Sequence, residues 1–471
     1  MRILIICALA LLAIGRSWAA EGGYDIKVKV KLLPDTVAYL GYHYGDKKYV
    51  RDTARVDKKG MFTFEGPEAL KGGLYFFYSK KAYFEFIVDQ DQSFSLETDT
   101  LNFVGHQKVS GSEANALFLG FQQFMSKKQQ EAQGFNEAFK KAEGDTLAQA
   151  QVREKLQQLD AEVKSYQARL MKEHPKSLTA NLIGATLRPD VPTAPKNEKG
   201  EVIDADFPFR YYRQHYFDSL DFGDARLLRT PLYEERILEY LDKLTSPHPD
   251  SLAQSAIGII DRSKANTEVF RYTLSTLASK YESSNIMGHD AIFVKIAEHY
   301  YLTGEADWLD SATQAKIQER VLALRPTLIG KKAYNIQGLD SAGQRVPLYT
   351  SAKDYTVVYF FDPDCGHCKK KTPELHGIYQ KSLRQMGVEV YCVVTTTELS
   401  KWKKFIREHQ LSWVNANDPT QRFRLYYDVQ TTPTIFVIDK DKNIIAKKLD
   451  VEQIEDFISN HKKMMEQKQT N

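Results

Sequence analysis

The stretch Tyr355-Thr356-Val357-Val358-Tyr359-Phe360-Phe361-Asp362-Pro363-Asp364-Cys365-Gly366-His367-Cys368-Lys369-Lys370-Lys371-Thr372-Pro373 decides the fold of this chain. Its first seven residues are a continuous apolar run, the pattern of a strand covered on both faces inside a sheet. A Cys-x-x-Cys between such a strand and a helix is a redox dithiol by geometry, because two residues of separation at a first helical turn bring both sulfurs close enough to bond. Cys365 falls at the helix N-terminus, where unpaired N–H groups and the macrodipole stabilise a thiolate. A thiol of ordinary pKa near about 8.5 can fall there to about 3.5–7.5 and become a nucleophile at neutral pH. His367, when protonated, adds positive charge beside it. This geometry assigns attack to Cys365 and resolution of the mixed disulfide to Cys368, one turn inside.

Working outward, strands and helices alternate from about residue 326 to the end. Val388-Glu389-Val390-Tyr391-Cys392-Val393-Val394 is a second apolar strand, Gln430-Thr431-Thr432-Pro433-Thr434 precedes a third at 435–439, residues 444–448 form a last strand, and 451–461 form a closing helix. With the dithiol and with Pro373 inside the following helix, this tail resembles the thioredoxin superfamily, most closely the exported thiol-disulfide oxidoreductases of the TlpA/ResA-like group. The resemblance implies an α/β thioredoxin fold, a helix kinked at Pro373, which lacks an N–H, and an extra helix at about 398–409. It also implies a cis bond before Pro433, which would turn the Thr432 backbone towards the dithiol as an edge for an extended client chain. The site it implies comprises Cys365, Cys368, His367 and Pro433, with Gly366 and Thr432 contacting substrate. The redox-active Cys365–Cys368 disulfide stands in place of any separate cofactor. The implied partners are client proteins with thiols or disulfides and a redox partner such as a membrane thiol reductase.

The chain departs from that pattern at two positions. Asp364 stands where relatives often carry Trp, and Lys371 where the TlpA/ResA-like group often has a glutamate, leaving Glu374 as a substitute for proton transfer. The Gly366-His367 dipeptide is similar to that of protein disulfide isomerases, whose couple lies near about −180 mV against about −270 mV for thioredoxin. The dipeptide therefore pulls towards oxidation or isomerisation, and the scaffold towards a reductase. Two rival readings are a zinc site and a thioredoxin fold used only as a binding scaffold. Zinc needs four ligands in a structural site, and no second cysteine pair follows, only His376 and His409. Cys392, in an alternating apolar strand, reads as a small buried hydrophobe.

Upstream the texture differs. Arg2, the apolar run 3–14 and Ser17-Trp18-Ala19 form a charged start, a short apolar core and a small-residue exit, the pattern of a secretory signal over 1–19. The run is too short for a comfortable membrane span, and Cys7 has no cleavage box before it that would suit lipid attachment. The expected location is the periplasm, in the cell envelope of a Gram-negative bacterium, where thiols can be oxidised. From 24 to 105 short period-two segments alternate with turns, predicting an antiparallel β-sandwich. From 106 to 325 the period becomes helical. Val152, Leu156, Leu159, Val163, Tyr166 and Leu170 form one stripe, read as a bundle core in preference to a dimer seam. The predicted organisation is thus a signal peptide (1–19), a β-sandwich (24–105), an α-helical domain (106–325) and a thioredoxin-like domain (326–471). The two upstream modules resemble β-rich and helical modules found ahead of thioredoxin domains in exported Bacteroidota proteins, notably at Arg226-Leu227-Leu228-Arg229-Thr230-Pro231 and Ala297-Glu298-His299-Tyr300-Tyr301.

Composition sets the outer bounds. In 471 residues, 64 Lys and Arg balance 61 Asp and Glu, which removes the basic excess expected of a nucleic-acid tracker. Four cysteines cannot staple a small disulfide-rich scaffold. Aromatic-basic residues at 209–217 are offset by Asp218, Asp221 and Asp224 and read as core and flank. Nothing in the pattern fixes an oligomeric state.

Overall fold

The computed structural model describes residues 22–470, so the expected signal segment lies outside the described residues. Two compact units divide between Tyr240 and Leu241.

In the first unit, β1 (Tyr24–Lys31), β4 (Met61–Gly66), β7 (Ser93–Asp99) and β8 (Lys108–Ser110) form one sheet in the order β4-β1-β7-β8, and β2 (Val37–Tyr44), β3 (Lys47–Arg55), β5 (Gly73–Tyr78) and β6 (Tyr83–Val88) form a second in the order β3-β2-β5-β6. Alternation puts Ile26, Val28, Phe62, Phe64, Phe94 and Leu96 of one sheet against Leu40, Phe77, Phe84 and Phe86 of the other, the sandwich core. All pairings are antiparallel except β1 with β7, which run parallel at the centre of their sheet. A period-two pattern reports which face is buried and is blind to strand direction, so that pairing was not legible. Gly41 on β2 is required by packing, since a Cβ there would lie 2.1 Å from the Phe76 ring.

A helical hairpin follows, Glu113–Lys141 and Thr146–Glu173, capped by Ser112 and Asp145. The 152–170 stripe faces the first helix of this hairpin, with Phe124 and Tyr166 stacked at 3.8 Å. Only Leu159 and Leu170 of the stripe are buried. Only one helix runs along the stripe, and Ala180 and Ile183 of the short helix Leu178–Thr186 reach just its Leu170 end, less cover than a bundle gives. The Arg226 phrase is a 3-10 turn, Ala225–Arg229, with Leu227 and Leu228 buried. Arg226 bonds Asp89 at 2.5 Å and Asp224 at 2.7 Å, holding the turn on the sandwich. In the aromatic-basic phrase, Tyr216 and Phe217 are buried while Phe209 is exposed.

The second unit begins with the helices Pro249–Ser263, Thr267–Glu282, His289–Ile296 (continued by a π turn, Ala297–Tyr301) and Ser311–Leu324. Beyond them lies a five-stranded sheet of β9 (Tyr355–Phe361), β10 (Val388–Val394), β11 (Val414–Asn417), β12 (Thr434–Asp439) and β13 (Ile444–Lys447), ordered β11-β10-β9-β12-β13. β9 to β11 run parallel, and β12 and β13 each run antiparallel to the neighbour before. All seven residues of β9 are buried because both faces are covered. Val357, Tyr359 and Phe361 join one core with Cys368, Leu375, Cys392, Trp402 and Ile454; Val358 and Phe360 join the other with Tyr391, Phe423, Tyr427 and Phe436. Each such side chain contributes about 1.5–3 kcal/mol by burial. The helices Gly366–Ile378, Leu399–Glu408 and Ile454–Thr470 flank this sheet, the last running well past the expected end at residue 461. Strand order and the mixed pairing at β12 and β13, with these three helices on the Cys368 face and the short helix Phe423–Tyr426 on the other, are those of a thioredoxin fold.

Candidate active site

Asp362 starts the site. Its carboxylate accepts from the Asp364 N–H at 2.8 Å and its carbonyl from the Cys365 N–H at 3.1 Å, turning the chain at the end of β9. Cys365 then caps the helix Gly366–Ile378 with extended backbone (φ −69°, ψ 124°), and its carbonyl accepts the Lys369 N–H at 3.0 Å. Its sulfur therefore sits where the first N–H groups of the helix have no partner. Gly366 and His367 are exposed, Cys365 is half-buried, and Cys368 is buried. Pro373 lies within the helix.

The Thr432–Pro433 bond is cis. The Cys365 thiol donates to the Thr432 carbonyl at 3.2 Å, so the loop before β12 touches the first sulfur. The two thiols differ in kind. Burial works to raise the Cys365 pKa, but hydrogen bonds from the Thr432 side chain, the backbone N–H groups of Cys368 and His367, and the Cys368 thiol outweigh it, and the group is held below the ordinary thiol value. Burial pushes the Cys368 thiol up to about 12. Cys392, fully buried in the same core, is also pushed up by burial, and a Cys368 thiolate would raise it further.

The two departures from the family pattern are both ion-paired. Asp364 pairs with Lys401 at 2.8 Å, and that cation, ahead of its burial, holds the Asp364 carboxyl below its ordinary value. Lys371 pairs with Glu452 and, at 3.1 Å, with Glu374, so the Glu374 carboxylate is engaged by a cation. Missed in the sequence was the hydrogen bond between Tyr359 and Thr372, 3.0 Å and buried, which ties β9 to the dithiol helix. A second tyrosine, set between the valines and phenylalanines of the strand, was its only signal.

On the far side of the cis-peptide loop is a cavity of about 500 Å³. Thr431, Pro433 and Thr434 line one side, and Glu282, Asn285 and Arg320 of the helical segment line the other. Among the described residues no group of three or more His, Cys, Asp or Glu is placed to hold a metal ion, and no helix is long and apolar enough to cross a membrane.

Residues 329–447 match the AhpC/TSA family. Residues 161–326 and 24–118 match two families described as domains of unknown function, DUF5106 and DUF4369. The thiol-disulfide oxidoreductase ResA of Bacillus cereus is 29% identical over 120 residues, 25% of this chain and 68% of that protein. ResA of Bacillus anthracis is 28% identical over 119 residues, with the same 25% and 68% covered. Among solved structures, a domain of a possible thiol-disulfide isomerase from Cytophaga hutchinsonii is 36% identical, covering 30% of this chain and 97% of that one, with a TM-score of 0.29. A thioredoxin-like protein from Bacteroides caccae is 21% identical, covering 58% of this chain and 98% of that one, with a TM-score of 0.47.

Proposed function

We propose that this chain, a thiol-disulfide oxidoreductase whose C-terminal domain belongs to the TlpA/ResA-like branch of the thioredoxin superfamily, reduces disulfides of exported client proteins through Cys365 and Cys368. The observation that carries this reading is the contrast between the two thiols. Cys365 is accessible at a helix N-terminus with its pKa lowered, and Cys368 is buried with its pKa pushed up to about 12.

The Cys365 thiolate attacks one sulfur of a client disulfide. A Cys365–client bond forms, the client S–S bond breaks, and the departing client sulfur takes a proton. Cys368 then loses its proton and attacks the Cys365 sulfur. The Cys365–Cys368 disulfide forms and the second client sulfur leaves. The client has gained two electrons and the protein has lost them, so a dithiol donor, such as a membrane thiol reductase, must return two electrons per turnover. The Thr432 carbonyl beside Cys365 offers the backbone edge on which an extended client chain would align. Pro433 shapes that edge, and Gly366 leaves the approach to Cys365 open. His367, exposed on the first turn, adds positive charge when protonated. The charged and apolar leader at 2–14 supports export, and the periplasm is the compartment we assign.

The Gly366-His367 dipeptide favours a second reading, oxidation or isomerisation of clients. The reduction potential of the couple separates the two: a value of about −250 mV or lower is expected for the reductase, and one near about −150 mV overturns it in favour of the second reading. Trapping tests the order of attack. Cys368→Ser is expected to accumulate mixed disulfides with clients and Cys365→Ser few, and equal trapping would overturn the order.

A further inference from the structure

One wall of the cavity beside the cis-peptide loop comes from the helical segment that precedes the five-stranded sheet. The wall is the C-terminal end of helix Thr267–Glu282, the loop after it and Arg320. Three connections fix it to the sheet. Lys447 on β13 is buried, pairs with buried Asp290, and donates to Thr327 at 2.8 Å. Arg320 bonds Glu282 at 2.9 Å and Asp428 at 2.7 Å. Lys448 donates to the Ser284 carbonyl at 2.6 Å. Met287, on the same loop, packs against the core that holds Cys368.

We propose that residues 283–285 form the second wall of a client subsite, and that the cavity takes the extended polypeptide flanking the client's reacting cysteine. This rests on the oxidoreductase reading above. The cavity is continuous with the loop that touches Cys365: its lining includes Pro433 and both neighbours of the Thr432–Pro433 pair. A chain aligned on Thr432 that runs on across Pro433 enters it. Its volume, about 500 Å³, falls within the range of about 300–1,000 Å³ that holds a bound molecule. Its lining carries both signs of charge, with Arg320 between two carboxylates, Lys447 on Asp290, Lys448 on the Ser284 carbonyl, and Asp450, so no single sign is there to select a small ion. What remains is a shaped polar slot beside a backbone edge, which suits a peptide chain. The substrate class is therefore polypeptide disulfides, in preference to small ones.

The test fills the slot without touching the dithiol or its loop. Asn285→Trp and, separately, Ser283→Trp are made at exposed positions of the wall. Second-order rates of the reduced full-length protein are measured with a disulfide-linked peptide of about ten residues, long enough to run past the reacting cysteine, and with the small reagent 5,5′-dithiobis(2-nitrobenzoate). Misplacing a reacting chain slows reaction by about ten- to a hundredfold, and that loss is expected for the peptide alone. Far-UV circular dichroism confirms folding, and either variant suffices if the other does not fold. Rates with peptide and reagent that stay unchanged, or fall together, overturn the subsite. A wild-type protein that exchanges with neither overturns the oxidoreductase reading itself, a distinct outcome.

Discussion

Alkylation of the fully reduced protein at limiting iodoacetamide should resolve three thiols by their surroundings. Cys368 is held up to about 12, so at pH 7 roughly one molecule in 10⁵ carries its thiolate. An ordinary thiol of pKa about 8.5–9 is about 1–3% thiolate at that pH, and Cys365, held below the ordinary value, carries more thiolate than an unperturbed thiol would. The ratio of reactive forms is therefore at least about 10³ in favour of Cys365. Access adds to it, since Cys368 and Cys392 are both 0% exposed. Quenched time points from pH 6 to 9, digested and mapped by mass spectrometry, should show Cys365 modified long before the others. Its rate should fall as pH drops through its own pKa, with a half-point below that of an unperturbed thiol. Modification of Cys368 or Cys392 within tenfold of Cys365, or a Cys365 half-point at or above the ordinary value, would refute the assignment of unlike roles.

Two further expectations follow from buried charge. Asp290→Ala leaves Lys447 without its carboxylate in a site that is 4% exposed, a loss of about 3–5 kcal/mol. For a unit of this size that is a fall in Tm of about 6–20 °C. It is readable by fluorescence, because Trp308, Trp402 and Trp413 all lie in the second unit. The pair Asp290→Ala with Lys447→Met should recover most of that loss, and a double variant no better than the single would count against the pair. The reduced protein should also lose stability in alkali. The folded-state pKa of Cys368 lies above its unfolded value, so between about 8.5 and 12 the unfolded chain sheds the proton first, and stability falls by up to about 1.4 kcal/mol per pH unit. Closing the Cys365–Cys368 disulfide removes that titration. Urea unfolding at pH 7.5 and 9.5 should therefore show a steeper loss for the reduced form, and equal losses would contradict the buried-thiol assignment.

What could be read in the chain and what could not divides along a physical line. The dithiol, the buried strand before it, and Thr432-Pro433 before another strand announce themselves because each depends on residues adjacent in sequence. Helix periods over 249–324 were legible for the same reason. The parallel pairing of β1 with β7, the hairpin partner of the 152–170 stripe, and the π turns at Ala297–Tyr301 and Tyr379–Leu383 were not, because pairing and helix winding are settled by tertiary contact. Lys447 was the least legible. In Ile444-Ile445-Ala446-Lys447-Lys448 it looks like an ordinary solvated cation at a strand end, and only the fold brings Asp290 and Thr327 to it.

That lysine bears on how such chains can be assembled in evolution. The segment matching the AhpC/TSA family carries Lys447, while its counter-ion lies upstream, in the segment matching DUF5106. A recombination that placed the same C-terminal segment behind an apolar module would cover an ammonium group and supply nothing to balance it. The two halves of the pair are thus heritable together or not at all, unless position 447 changes as well. Chains of this architecture should therefore show a charge at one position predicting the opposite charge at the other, and a neutral residue at one predicting a neutral residue at both.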